Sequence, residues 1–307
     1  MKVYDVIIIG AGLAGLTAGI YARRGNLSTL VLEGAFPGGQ AFTIDMVENW
    51  PGFPEAIKGG ELTDLVYQQA QNLGVELVYQ SALKLEKAAL GYQVVTSERS
   101  YQSQIVIVAT GATPKKLGIP GEEEFFQKGV SYCATCDGAL FRGKKVVIIG
   151  GGNAAIQEGL YLANLASDVI VIHRRNEFRA APLLLERARK KNNIQFITST
   201  VVKEIQGDER IKSLLLENLE NGGVESLSCD GVFVYVGFVP KSQWLMGSLA
   251  CDENGYILTD EEMRTSLPGV FAAGDVRKKH LRQLVTAAAD GAIAAYNATN
   301  LILSGHI

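Results

Sequence analysis

The chain has few of the residues that mark a secreted, metal-rich or polyanion-binding protein. Its 307 residues include 4 cysteines and 3 histidines, and the formal net charge at pH 7 is -3. Four cysteines without an even-spaced framework do not suit a disulfide-stapled secreted domain, so we expect a protein of the reducing cytoplasm. The charge provides no basic surface for nucleic acid and no cationic face for a membrane. We therefore expect neither kind of partner.

The chain also lacks a convincing apolar leader. Residues 5–22, DVIIIGAGLAGLTAGIYA, are the nearest approach to one. Asp5 precedes the apolar run, no basic segment leads into it, and glycines interrupt it, so the pattern predicts a strand, a turn and a helix. Glycine, by contrast, is abundant at 34 residues, which indicates many tight turns or close backbone approaches.

The first of these glycine turns lies in a predicted βαβ unit. An apolar strand over Val3–Ile9 runs into the turn Gly10–Gly15, GAGLAG, and an alanine-rich helix follows over residues 14–24. A second strand over Ser28–Leu32 ends at Glu33. Strand, G-x-G-x-x-G turn, helix and a terminal acid together are typical of a dinucleotide site, with a pyrophosphate at the helix N-terminus.

The same pattern recurs in the middle of the chain. A strand over Lys145–Ile149 leads into Gly150–Ala155, GGGNAA, then a helix to about Ala166 and a strand over Asp168–Ile172. This repeat at the scale of a domain predicts a second dinucleotide site.

Each half also ends in a similar way, with an apolar strand that runs into glycine and then proline, over 104–114 and 231–240. A short strand before Asp275 and a helix from about Gln283 then return to the first half. We predict an α/β protein with two Rossmann-like domains of three layers (β/β/α or α/β). The second, 114–244, is inserted into the first, 1–113 with 245–307.

The two predicted sites carry opposite charge at equivalent positions. Glu33 ends the second strand of the first unit, and the same offset from the second glycine turn reaches His173, Arg174 and Arg175, with Arg179 shortly after. An acid accepts a hydrogen bond from a ribose 2′-hydroxyl but repels a 2′-phosphate. The first site is therefore predicted to take FAD or NAD, and the second NADPH.

A pair of cysteines, Cys133 and Cys136, precedes the second glycine turn and is followed by Asp137. Such a pair forms an easily reduced disulfide, or half of a zinc site. A zinc site would need Cys229 and Cys251 or histidines, and none of these forms a second ligand pair. We predict a redox-active dithiol with a neighbouring acid, no bound metal, and Cys229 and Cys251 as packed apolar side chains.

With these motifs in order, the chain resembles the low-molecular-weight, bacterial-type thioredoxin reductases over essentially its whole length. The matching segments are GAGLAG, Gly38-Gly39-Gln40, Glu48-Asn49-Trp50-Pro51-Gly52, Ala109-Thr110-Gly111, CATCD, GGGNAA, the run from His173 to Arg179, and Gly274-Asp275-Val276-Arg277 with Arg282-Gln283. The resemblance implies a homodimeric flavoprotein that uses NADPH to reduce FAD, then the disulfide of Cys133 and Cys136, and finally thioredoxin or a similar disulfide protein.

The resemblance also implies a role for particular residues. Cys136 would face the flavin, Cys133 would attack the partner's disulfide and Asp137 would be the acid. The FAD residues would be Gly10, Gly12, Ala14, Gly15, Glu33, Gly34, Gly39, Gln40, Asn49, Thr110, Gly111, Gly274, Asp275, Arg282 and Gln283. The NADPH residues would be Gly151, Gly152, Asn153, Ala154, Ala155, Glu158, His173, Arg174, Arg175 and Arg179.

Three other functions fit parts of the pattern. A thiol oxidase of the same fold would deliver electrons to oxygen, and a relative fed by ferredoxin would not need the cationic run at His173 to read a 2′-phosphate. A redox-sensing protein would bind nucleotide without turnover, which the acid beside the dithiol disfavours.

Overall fold

The computed structural model describes residues 2–44, 47 and 49–305, except the side chains of residues 135 and 136. The chain forms two compact units, Met1–Thr113 with Val239–Ile307 and Pro114–Phe238. No helix within the described ranges is long and apolar enough to cross a membrane.

The helices and strands follow the predicted alternation. In chain order the strands are β1 (Val3–Ile9), β2 (Thr29–Leu32), β3 (Glu76–Val78), β4 (Ala82–Lys87), β5 (Tyr92–Thr96), β6 (Ser100–Val108), β7 (Ala112–Pro114), β8 (Val130–Ser131), β9 (Lys145–Gly150), β10 (Asp168–Ile172), β11 (Ile194–Ile197), β12 (Thr200–Gly207), β13 (Ile211–Asn218), β14 (Val224–Ser228), β15 (Gly231–Tyr235), β16 (Phe238–Pro240) and β17 (Val270–Ala272). The helices are α1 (Leu13–Arg24), α2 (Gly59–Asn72), α3 (Ala134–Asp137), α4 (Asn153–Leu162), α5 (Pro182–Arg189) and α6 (Leu284–Ser304).

The first unit is built on a seven-stranded sheet in the order β3-β2-β1-β6-β5-β4, with β17 also paired to β6. β1 pairs in parallel with β2 and β6, so that Ile7 lies opposite both Leu30 and Val106. Residues 6–9 of β1 and 105–108 of β6 are continuous apolar runs that the sheet buries, as expected of parallel strands covered on both faces. Side chains of α1 and α6 pack on one face around Leu16.

The second unit has three layers. A parallel sheet in the order β11-β10-β9-β15-β8 lies between a three-stranded antiparallel sheet, β12-β13-β14, and the helices α4 and α5. Val147 and Leu214 belong to the core between the two sheets, and Ile148 and Ile156 to the core under the helices. The β/β/α arrangement places the glycine turn after β9 at the carboxyl end of a central strand, where ligands bind in such sheets.

Two boundaries differ from the predictions. The second crossing between units lies at Phe238 and Val239 rather than at 244 and 245, because Lys241 already hydrogen-bonds within the first unit. Its N–H donates to the Gly111 carbonyl at 2.9 Å, and its carbonyl accepts from Thr110 Oγ1 at 2.8 Å.

The helix after the second glycine turn is also shorter than predicted, since α4 ends at Leu162 and not near Ala166. The next residues form a turn in which the Leu165 carbonyl accepts from the Gly143 N–H at 2.9 Å. That carbonyl therefore binds outside the helix.

Candidate active site

The first glycine turn is closely packed against backbone atoms. A Cβ at Gly10 would lie 2.4 Å from the Ala109 carbonyl oxygen, and one at Gly15 would lie 1.8 Å from the Gly10 oxygen. Gly10 also has φ +106, which favours glycine. At Gly12, which caps α1, a Cβ would meet nothing within 4 Å. The turn is therefore tight on the protein side and open at the helix N-terminus, as a phosphate requires.

Glu33 lies beside this turn, as the sequence predicts. Its carboxylate accepts from the Ala11 N–H at 2.6 Å and from the Ala35 N–H at 2.9 Å. Gly34 follows, and a Cβ there would collide with Ser81 Oγ at 2.3 Å. Two backbone donors thus hold the acid against the glycine turn.

The other residues predicted to contact FAD come from distant segments of the same unit. A Cβ at Gly39 would lie 3.2 Å from the Gly12 Cα, and one at Gly274 would lie 2.8 Å from the Ala14 Cβ. Asn49 Nδ2 donates to Gln283 Oε1 at 3.1 Å. The fold therefore draws the Gly39 turn and Gly274 toward the N-terminal turn and joins Asn49 to the start of α6.

Three more members of this set are held by backbone geometry or backbone contacts. The Gln40 amide donates to the Ala112 carbonyl. Thr110 Oγ1 donates to the Lys241 carbonyl. Gly111 has φ +69, and a Cβ added there would meet nothing within 4 Å. Glu48, which belongs to the motif around Asn49, lies outside the described residues.

Asp275 and Arg282 are the charged members of the set. Burial raises the pKa of Asp275, and the cations of Lys279 and Arg282 oppose that rise. Arg282 stacks its guanidinium over the Tyr256 ring at 4.1 Å. Its buried Nε has no hydrogen-bond partner among the described residues. A buried donor of this kind suits an acceptor supplied by a ligand.

Asp290 is a charged residue near this site that the sequence reasoning missed. Its side chain is 9% exposed and pairs with Arg277 at 3.1 Å and Lys279 at 2.9 Å. It also accepts from the Gly274 N–H at 3.0 Å. The available signal was a single acid within the alanine-rich run of α6, since a buried charge is retained only with partners.

The second glycine turn is shaped by His173. A Cβ at Gly151 would lie 2.3 Å from the His173 ring, so the cationic run predicted for the cofactor phosphate packs directly on this turn. The Arg179 N–H donates to the Gly151 carbonyl at 2.8 Å. At Gly152, which caps α4, a Cβ would meet nothing within 4 Å. This turn too is open at the helix N-terminus.

A cleft of about 170 Å³ opens beside this turn. Predicted residues and aromatic side chains that the sequence reasoning missed line it together. The lining comprises Pro114, Tyr132, Gly152, Asn153, Ala154, Ala155, Arg179, Val234, Tyr235, Val236, Gly237 and Phe238.

The imidazole of His173 is buried, and its ring stacks on Phe178 with centroids 5.1 Å apart. Burial lowers its pKa, and the charges of Arg179, Arg175 and Arg174 add to this effect. The three arginines are exposed, and His173 Nε2 has no hydrogen-bond partner in the described part of the chain. Exposed guanidinium groups beside an unpaired ring nitrogen suit a phosphate.

The cysteine motif forms the short helix α3 and the residue before it. Cys133 is disulfide-bonded. The side chain of Cys136 lies outside the described residues. The Cys133 N–H donates to Ser131 Oγ at 3.0 Å, and Ser131 Oγ lies 2.6 Å from Asp137 Oδ2. The predicted acid is thus held by a serine that the sequence reasoning missed.

A second hydroxyl reaches the same turn from a distant strand. The Ala134 N–H donates to the Tyr235 hydroxyl oxygen at 2.7 Å, from 101 positions away in the chain. Burial strongly raises the pKa of Tyr235, and the charges of Glu158 and Asp137 add to it. The phenol therefore stays neutral. Glu158 is predicted from the sequence to contact NADPH. Its charge raises the pKa of the Tyr235 hydroxyl, and it is not among the residues that line the cleft.

The remaining cysteines are single thiols. Cys229 is buried, which raises its pKa to about 12, and Cys251 is half-buried. Across the described residues, no group of three or more His, Cys, Asp or Glu side chains is arranged to hold a metal ion.

Both glycine turns therefore have the features that a dinucleotide needs. Each leaves open space at a helix N-terminus, with an acid held beside the first and cations beside the second. The residues present fit FAD at the first turn and NADPH at the second.

Comparisons with known proteins agree with this geometry. The family model described as pyridine nucleotide-disulphide oxidoreductase matches residues 4–291. The chain is 45% identical to a thioredoxin reductase of Listeria innocua, over 98% of this chain and 94% of that protein. It is 46% identical to one from Treponema pallidum, over 97% of each.

A solved structure shows the same likeness in three dimensions. The crystal structure of thioredoxin reductase from Lactococcus lactis has a TM-score of 0.95 and 42% identity, and the match covers 98% of this chain and 99% of that one. The chain belongs to the pyridine nucleotide-disulphide oxidoreductases, and within them to the thioredoxin reductases.

Proposed function

We propose that this chain reduces the disulfide of a thioredoxin through the disulfide of Cys133 and Cys136, with Asp137 as the acid. As a thioredoxin reductase it is an NADPH-dependent flavoprotein oxidoreductase. The net reaction consumes NADPH, one proton and the disulfide of the partner, and it yields NADP⁺ and the partner's dithiol. The disulfide state of Cys133, in a turn braced beside Asp137, is the observation that carries the proposal.

The cofactors divide between the units by charge. FAD and NADPH, when bound, supply the two-electron chemistry that reduces the cysteine pair. Glu33, held beside the first glycine turn, would accept from the ribose hydroxyls of FAD. Arg174 and Arg175, exposed beside the second turn, would bind the 2′-phosphate of NADPH. We assign these residues from the charge and geometry of each turn.

The two cysteines have separate tasks in the proposal. Cys136 would face FAD, whose chemistry would reduce the cysteine pair, and Cys133 attacks the disulfide of the partner to form a mixed disulfide. Cys136 then attacks Cys133 and releases the reduced partner, and Asp137 supplies a proton to the leaving sulfur. The pair returns to the disulfide state.

We test this proposal with an anaerobic NADPH titration that follows flavin absorbance, and with NADPH-dependent reduction of oxidised thioredoxin. The parent is expected to turn over, and Cys136→Ser is expected to lose thioredoxin reduction while its flavin is still reduced by NADPH. Cys251→Ser is the matched control, because it removes a half-buried single thiol outside the motif.

If Cys136→Ser reduces thioredoxin as fast as the parent, the proposed route is wrong. Oxygen consumption with a dithiol substrate separates the thiol oxidase. An oxidase would transfer electrons to oxygen faster than the NADPH reaction delivers them to thioredoxin.

We also propose a homodimer, supported by the exposed apolar side chains along one face of α6. Tyr296 and Leu303 are 62% and 76% exposed, and Val285 and Ile293 share their face. Sedimentation of the parent is expected to give a dimer that Tyr296→Lys weakens.

Free thiols at Cys229 and Cys251 suit a reducing compartment, so we propose the cytoplasm.

A further inference from the structure

Ser131 contacts the cysteine motif at three points. It ends β8, is 3% exposed, and pairs through its backbone with Phe233 of β15. Its Oγ accepts from the Cys133 N–H at 3.0 Å, lies 2.6 Å from Asp137 Oδ2, and lies 3.2 Å from the Cys133 carbonyl. A buried strand residue therefore joins the first cysteine to the acid.

The hydroxyl has one proton for two acceptors. When Asp137 is ionised, the proton points to the carboxylate, because a charged acceptor at 2.6 Å forms a stronger bond than a carbonyl at 3.2 Å. When Asp137 is protonated, its own O–H can donate to Ser131 Oγ, and the serine proton turns to the Cys133 carbonyl. An oxygen with two lone pairs accepts both the acid proton and the Cys133 N–H.

We propose that Ser131 is a positioning residue that holds Asp137 at the dithiol in both of its protonation states. It does so by redirecting a single hydroxyl proton between the Asp137 carboxylate and the Cys133 carbonyl. Because β8 belongs to the parallel sheet, the acid stays in place when it loses or gains its proton. The inference rests on the proposed function of Asp137.

Other groups near Asp137 could also affect its pH dependence. The charges of Asp137 and of Glu158 in α4 both act on the hydroxyl of Tyr235 in β15, and Cys133 and Cys136 of the same motif are thiols once the disulfide is reduced. Burial keeps the Tyr235 phenol neutral across the assay range. Tyr235→Phe is therefore a matched control: it removes another buried hydroxyl bond to the same turn, at the Ala134 N–H, and moves no titration.

The test measures single-turnover reduction of oxidised thioredoxin by the FAD-loaded enzyme between pH 5 and 9. The variants are Ser131→Ala, Asp137→Asn, the double variant and Tyr235→Phe. The Asp137-dependent limb is the part of the profile that Asp137→Asn abolishes. Ser131→Ala is expected to slow this limb about tenfold and to change its pH dependence, because the ionised carboxylate loses a donor. In the Asp137→Asn background it should move nothing further.

A second readout does not depend on turnover. The pH dependence of Cys133 carbamidomethylation is followed by peptide mass spectrometry in the dithiothreitol-reduced protein, and Ser131→Ala is expected to shift it where Tyr235→Phe does not. Ser131→Thr, which keeps the hydroxyl, should retain the parental limb and serves if Ser131→Ala does not fold.

The inference is overturned if Ser131→Ala lowers the rate uniformly, as Tyr235→Phe does, with both pH profiles unmoved. It is also overturned if its effect persists unchanged without Asp137. If the parent reduces no thioredoxin, the proposed function fails separately, and the alkylation profile still decides the part of Ser131.

Discussion

Removal of the Asp290 carboxylate is expected to lower the free energy of unfolding of the first unit by more than the loss of any exposed ion pair in that unit would. Asp290 holds Arg277 at 3.1 Å and Lys279 at 2.9 Å, and their side chains are 13% and 7% exposed. It also holds the Gly274 N–H at 3.0 Å. Asp290→Ala would therefore leave two buried cations and one backbone donor without this partner.

The expected loss is about 3 kcal/mol in the free energy of unfolding. Breaking a buried ion pair by removing one partner costs about 3–5 kcal/mol, because the remaining charge stays desolvated. The lower end applies because Lys279 keeps Asp275 at 3.6 Å. Asp290→Asn should recover part of this loss, since an amide oxygen can still accept from the Gly274 N–H.

Urea unfolding of the apoprotein, followed by helical circular dichroism, measures this loss. Glu86→Ala is the matched control in the same unit. Glu86 pairs with Lys84 at 2.6 Å, but the Lys84 side chain is 67% exposed and the Glu86 side chain 40%. An exposed pair is worth about 1 kcal/mol or less. If Asp290→Ala costs no more than Glu86→Ala, the assignment of a stabilising buried cluster is refuted.

Three further predictions follow from the glycine turns and the cationic run. Gly10→Ala should lower the melting temperature of the apoprotein, because its Cβ would lie 2.4 Å from a backbone oxygen, whereas Gly12→Ala should spare the melt and weaken FAD binding in a fluorescence titration. Arg174→Ala with Arg175→Ala should raise KM for NADPH by roughly tenfold or more and leave KM for NADH unchanged; equal effects would contradict the assignment. Because burial lowers the pKa of His173 below 6.5, its neutral form is stabilising above that pH, and urea stability should fall as the pH drops below 6.5. His173→Gln should flatten this fall, and an unchanged slope would argue against it.

The predictions from sequence succeeded where the signal is local. β1 and β10 have the predicted bounds, and α1 begins one residue before the predicted start. β1 and α1 flank the first glycine turn, and β10 ends the βαβ unit of the second, a unit whose spacing sets strand, turn and helix within about 25 residues. The predicted end of α4 and the predicted second crossing between units were wrong. Each position depends on hydrogen bonds to a segment distant in the chain, which a local sequence pattern does not indicate.

The order of nucleotide turns, the opposite charges at Glu33 and Arg174, and the cysteine pair can be read from the chain without its fold, because each is a short motif with its own spacing. The surroundings of those motifs depend on tertiary contacts. Tyr235 reaches the cysteine turn across 101 positions only because β15 lies beside β8 in the sheet. Strand order and packing bring such side chains together. The sequence around a buried hydroxyl has no periodic pattern from which its hydrogen-bond partner could be predicted.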